Sequence, residues 1–143
     1  MAVTGRRAFF LAAMACCVVT ARADDSRDVH TLIDDLANAL SSGEVTQAMS
    51  VFSKKCPNYD KLSDYFDGLT AAYFVENTLD FTDENVSATE ATVALRWDLA
   101  LTTKQGGDTA NRSAELTLKL MREGRHWRIV EFGPMSLFDP SAP

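Results

Sequence analysis

The sequence predicts an α+β domain in which three N-terminal helices pack on an antiparallel sheet. Two observations carry this. Apolar residues recur at helical spacing as far as Leu69, and after Gly68 the period becomes alternating, most clearly from Val93 to Leu101 and over 113–122. The alternating stretches are also separated by short Gly-containing loops, which suit a meander of neighbouring strands.

The first helix has Val29, Leu32, Ile33, Leu36 and Leu40 along one stripe and Asp28, Asp34 and Asp35 on the other side. Ser26 is placed to cap its start, and Ser41-Ser42-Gly43 to stop it through a left-handed glycine. A short second helix puts Val45, Ala48, Met49 and Phe52 on one face. Cys56-Pro57 breaks the chain, and Asn58 is expected to cap a third helix buried through Tyr59, Leu62, Phe66 and Leu69. Residues 72–82, rich in Tyr, Phe, Val, Thr and Leu, read as the first strand. The second runs through Val93, Leu95, Trp97, Leu99 and Leu101, and the third covers 113–122 with Ala114, Leu116, Leu118 and Leu120 inward. A last strand spans Arg125 to Phe132, and the Pro-rich tail from Gly133 reads as irregular.

Alternation also sets register, because residues directly opposite in an antiparallel pair share a face. A two-residue turn at Glu123-Gly124 would set Leu120 against Trp127, Leu118 against Ile129 and Leu116 against Glu131. Glu131 would then be a carboxylate on the apolar face. There its pKa would rise, and it could serve as a general acid or base. The competing reading puts Glu131 at a wet rim where the strand leaves the sheet, and that reading is preferred.

The start of the chain reads as an export signal. Arg6 and Arg7 precede an uncharged apolar run of thirteen residues, Ala8 to Thr20, and Ala21-Arg22-Ala23 offers small residues for cleavage. A membrane-spanning helix needs about 20 residues, so no lasting anchor is expected. The arginine pair followed by Phe9, Phe10 and Leu11 also fits a twin-arginine signal; the general secretory route stays equally open. The expected organisation is a signal peptide over 1–23 and one domain over 24–143, delivered to a bacterial periplasm or secreted. Loss of Arg6, Arg7 and Arg22 leaves 11 basic residues against 20 acidic ones, a formal charge of −9. Such a surface disfavours nucleic acid and anionic membranes. Cys56 is then the sole cysteine, so no internal disulfide holds the fold.

The ordered set is distinctive. A helix ends in Ser41-Ser42-Gly43-Glu44, a short helix carries Ala48-Met49, and strands follow. The chain closes with Arg125-His126-Trp127-Arg128-Ile129-Val130-Glu131-Phe132 and Phe138-Asp139-Pro140. From about Ser26 to Pro140 the chain resembles the nuclear transport factor 2-like superfamily, including SnoaL-like small domains. The resemblance lies in order and pattern, with Trp127-x-Ile129 as its one motif-like piece. It implies a cone-shaped, cystatin-like fold whose strongly bent sheet wraps the helices around an apolar cavity. In this chain Phe66, Tyr73, Trp97, Leu99, Leu118, Trp127, Ile129 and Glu131 would line it. Superfamily members include isomerases, dehydratases, ligand binders and association domains, so the fold leaves the chemistry open. The Asp, Tyr and protonated Asp of ketosteroid isomerase-like members have no match here. Neither His30 nor His126 matches the histidines of dehydratase-like members.

The residues themselves favour modest roles. Tyr59, Tyr65 and Tyr73 could offer phenol donors to a ligand, but amphipathic residues of this kind more often sit at a core edge. Trp97 and Trp127 fit core positions better than stacking platforms. Two distant histidines and one cysteine make no metal site, and no cofactor motif is present. Arg96, Asp98, Glu115, Lys119 and Arg128 alternate outward and form a charged sheet face. The expected role is non-catalytic: holding a small apolar ligand, or association. The alternatives are a cavity enzyme of isomerase or dehydratase type using Glu131, and a structural module that dimerises or binds a partner through the sheet face.

Overall fold

The computed structural model describes residues 23–142; the expected signal peptide, apart from its last residue, lies outside them. Helix α1 spans 23–41 and buries Val29, Ile33, Leu36 and Leu40, the stripe its spacing predicts. Ser26 is not its cap. The helix is already running at residue 23, so Ser26 has no free helix-terminal N–H to bind, and its hydroxyl donates to Glu84 instead. The stop at Gly43 is as expected: φ is +73°, Gly43 N–H donates to the Leu40 carbonyl (3.2 Å) and Glu44 N–H to that of Ala39 (2.9 Å).

Helix α2 covers Val45–Met49 and α3 covers Tyr59–Ala72, which buries Leu62, Phe66 and Leu69. Asn58 precedes α3 in a left-handed conformation, and its side chain makes no cap bond. It thus turns the chain without capping it.

Four strands follow: β1 (Tyr73–Val86), β2 (Glu90–Thr103), β3 (Thr109–Glu123) and β4 (His126–Gly133). They form one curved antiparallel sheet in the order β1-β2-β3-β4. The strands outrun the apolar alternation because backbone pairing continues past the covered region, as in Thr102 opposite Thr109. The helices cover one face. The short segment after α2 adds a parallel bridge between Phe52 and Ile129, with Ser53 N–H donating to the Ile129 carbonyl (2.8 Å). That bridge shields part of the free edge of β4.

The register of β4 differs from expectation. The turn is Gly124-Arg125, with Gly124 at φ +65°, and Glu123 pairs with His126. Leu120 lies opposite Ile129, but Lys119 lies opposite Glu131, so Val130 is an extra residue in a β-bulge. The bulge moves the inward set from Trp127 and Ile129 to Phe132, which pairs with Leu118. Glu131 is therefore turned outward and exposed. It is not on the apolar face.

The tail is also more ordered than its composition predicts. Met135–Phe138 forms a 3₁₀ turn, and Leu137 and Phe138 are buried. Two apolar residues there bury enough surface to outweigh the helix-breaking prolines around them.

Candidate functional site

The interior of the curved sheet is where the sequence placed a cavity. Phe66, Trp97, Leu99, Leu118, Trp127 and Ile129 do converge there, all buried. Tyr73 is only half-buried, at the α3–β1 junction, and Glu131 is outside. The residues that complete the set are Phe52, Phe132 and Phe138. Phe138 lies 5.3 Å between ring centroids from both Phe66 and Trp97, edge to face in each case, and 5.4 Å from Phe132. Phe52 meets Phe132 at 5.3 Å, again edge to face. These separations are those of packed rings, so the space a ligand would take is filled by the chain's own aromatics.

The last segment is held in place as well as packed. Arg112, at an inward position of β3, donates through Nη1 to the carbonyls of Leu137 (3.1 Å) and Asp139 (2.6 Å) and through Nη2 to that of Ala142 (2.8 Å). Charge-assisted bonds of this kind are stronger than those between neutral groups. On the helix side Pro140 fits against Gly68, where a Cβ would stand only 2.8 Å from the proline ring. Residues 135–142 thus plug the interior, fastened to β3 on one side and α3 on the other.

The indole N–H of Trp97 is satisfied from within the chain. Trp97 Nε1 donates to Asn77 Oδ1 (2.8 Å), and Asn77 Nδ2 donates to the Ala37 carbonyl and to Ser41 Oγ (2.9 Å each). Asn77 thereby ties β2 to the end of α1. Its satisfied network leaves no donor of Trp97 for a ligand. Trp127 Nε1 is buried without a hydrogen-bond partner, and the Arg122 guanidinium lies over its ring at 5.0 Å.

Other expected groups are dispersed. His30 Nε2 meets Glu84 Oε2 at 2.6 Å and the ring stacks on Phe81 at 4.1 Å, joining α1 to β1. A bulge at Thr82 aims Glu84 that way. His126 is exposed at the β3–β4 turn. Tyr59 and Tyr65 are half-buried at the α3 surface, and Lys61 lies over the Tyr65 ring. Burial pushes the Cys56 thiol up, and the nearby Glu131 charge adds to the rise, so little reactive thiolate forms. Among the described residues, no group of three His, Cys, Asp or Glu side chains is arranged to hold a metal ion.

The sequence signals for the missed residues exist. Ile129-Val130 side by side marks the bulge that turns Phe132 inward. Asn77 and Arg112 are polar residues at inward positions, which in a packed core implies fixed partners. Phe138 gave no periodic signal.

The outer face of the sheet is the contrasting surface. Arg96, Asp98, Glu115 and Lys119 lie on β2 and β3 as predicted, with Arg96 opposite Glu115. Arg96 Nε binds Asp98 Oδ1 at 3.2 Å, and Ser113 donates to the same oxygen. Between the charges stand Thr92, Ala94, Ala100, Asn111 and Thr117.

No protein-family model and no curated protein matches the sequence. Solved structures do. A candidate scytalone dehydratase from Novosphingobium aromaticivorans is 13% identical at a TM-score of 0.71, over 80% of this chain and 85% of the other. A nuclear transport factor 2-like protein from Salmonella enterica is 13% identical at 0.64, over 77% and 89%. A candidate calcium/calmodulin-dependent protein kinase II association domain from Xanthomonas campestris is 17% identical at 0.64, over 74% and 83%. At such identities the likeness is one of fold.

Proposed function

We propose that this chain, whose fold is that of the nuclear transport factor 2-like proteins, is an exported, non-catalytic association domain that pairs with a second copy through the outer face of its sheet. The filled interior carries the reading. With Phe138 and its neighbours occupying the cone and Glu131 turned outward, neither a ligand nor a substrate finds a ready cavity or an acid/base group there.

Three features support the outer face. It is the sheet surface that the helices leave uncovered. Strands of 14 and 15 residues flanked by two more span about 45 by 15 Å, of the same order as the roughly 800 Å² per partner in a standard interface. Its centre is also charge-balanced, Arg96 and Lys119 against Asp98 and Glu115. That matters in a domain of formal charge −9, whose other surfaces repel a second copy. The likeness to a kinase association domain points the same way.

Sedimentation of residues 24–143 tests this. A dimer is expected, and Thr117→Glu, which adds two like charges across a two-fold interface, should shift it to monomer. A wild-type monomer throughout the concentration range, or a Thr117→Glu protein that associates normally, defeats the proposal. Export has its own check: mass spectrometry of the mature protein should find a chain beginning at Asp24. A product that retains Met1 would contradict it.

A further inference from the structure

At the β4 edge of the sheet, four cations gather around the segment that joins α2 to α3. Lys54, Lys55 and Arg128 line one cleft of about 600 Å³ together with Met49, Phe52 and Tyr59. A second cleft adjoins it at Lys54 and Tyr59 and includes Lys61. None of these four side chains forms an ion pair among the described residues. Three basic groups elsewhere are engaged: Arg96 with Asp98, Arg122 with Asp25, Arg112 with the C-terminal carbonyls. In so acidic a chain, the gathering of four cations in one place is the unexpected feature.

The cluster is also held ready. The turn bearing Lys54 and Lys55 is clipped by Cys56 N–H donating to the Ser53 carbonyl (3.0 Å) and Lys55 N–H to Ser53 Oγ (3.2 Å). Ser53 is itself buried, paired by its backbone to β4, and donates its hydroxyl to Glu123 Oε2 (2.7 Å). Arg128 Nη1 donates to the Trp127 carbonyl (3.0 Å), which directs the guanidinium while leaving its other N–H groups free to bind. Two carboxylates line the clefts, Glu123 and Asp60, and Glu123 is occupied by Ser53. In the first cleft three cations face Glu123 alone, which leaves an excess of positive charge beside the half-buried ring of Tyr59.

We propose that these adjoining clefts bind a small soluble oxyanion, a phosphate or carboxylate, carried on a flat apolar body. Lys54, Lys55 and Arg128 hold the oxyanion through charge-assisted bonds, and the body lies against the half-buried ring of Tyr59. The proposal does not rest on the dimer reading, and each survives failure of the other.

Phenyl phosphate, benzoate, inorganic phosphate and neutral benzyl alcohol are the probes, titrated into residues 24–143 and followed by amide NMR shifts. Phenyl phosphate should bind saturably and move the resonances of 53–61 and 128. Inorganic phosphate and benzyl alcohol, each lacking one half of the ligand, should bind more weakly. Benzoate decides whether carboxylates are accepted; its failure beside a binding phenyl phosphate restricts the site to phosphates and overturns the carboxylate half. Lys54→Ala with Lys55→Ala should weaken binding about tenfold or more, whereas Lys104→Ala, on the far loop, should not. Both lysines are exposed, and a circular dichroism melt will show the fold intact. Absence of saturable shifts at these residues, or equal affinity in the double variant, overturns the site.

Discussion

The two faces of the sheet have opposite histories in the folded chain. On the inner face the large side chains pack on one another: Trp97 is fully buried, its N–H is taken by Asn77, and Phe138 packs against its ring. On the outer face the same strands carry small and charged groups that meet mostly solvent. In a fold that offers a cavity as readily as a surface, the difference locates where recognition is still available. The inner face has been used to stabilise the domain. The outer face, and the cationic clefts beside β4, have not.

The strongest way to break this contrast is to empty the inner face. Phe138→Ala removes a fully buried ring touching Phe66, Trp97 and Phe132. It should cost about 3–5 kcal/mol in urea denaturation, a large share of a small domain's stability. If the variant folds, the hollow it leaves is apolar. Toluene should then raise its melting temperature and leave that of the wild type unchanged. A wild-type protein that toluene stabilises equally would mean the interior is not filled. Asn77→Ala comes next. It leaves the Trp97 N–H unpaired in a buried setting, for an expected loss of about 1–3 kcal/mol by the same measurement.

Much of this contrast was legible in the sequence. Alternation in β2 and β3 assigned the two faces correctly because those central strands pair without interruption through the buried region. Helix stripes worked for the same reason, since one face of each is buried. Reading failed where an element departs from a fixed period. Val130 inserts one residue into β4, and one residue is enough to exchange Glu131 for Phe132 on the inner face. The plug failed differently. A four-residue 3₁₀ turn between prolines has no period to detect, and its order comes from long-range partners, Arg112 and Gly68, that no local window contains. The packing of Phe138 and Phe132 into the interior therefore could not be read from the sequence, although six of the eight residues expected there, Phe66, Trp97, Leu99, Leu118, Trp127 and Ile129, are buried.

Smaller effects test the outer side of the comparison. Glu131→Gln alters an exposed carboxylate opposite Lys119, so stability should stay within about 0.5 kcal/mol of wild type. A loss as large as that from Asn77→Ala would return Glu131 to the interior.

The least change is expected at Asp98, where it is read as a titration and not as a stability. The hydroxyl of Ser113 and then the guanidinium of Arg96 hold this carboxyl below its ordinary range. A depressed folded-state value means that any stabilisation is present above the ordinary carboxylate range. It fades as pH falls through the lower, folded-state value. Ser113→Ala should raise the Asp98 value in a carboxyl-carbon NMR titration, and Arg96→Gln should raise it less, because the hydroxyl bond is the larger cause. The reverse order would show that charge, and not the hydrogen bond, organises this face. A dimer formed over Asp98 should sharpen the difference, since burial raises the value of whichever variant has lost its partner.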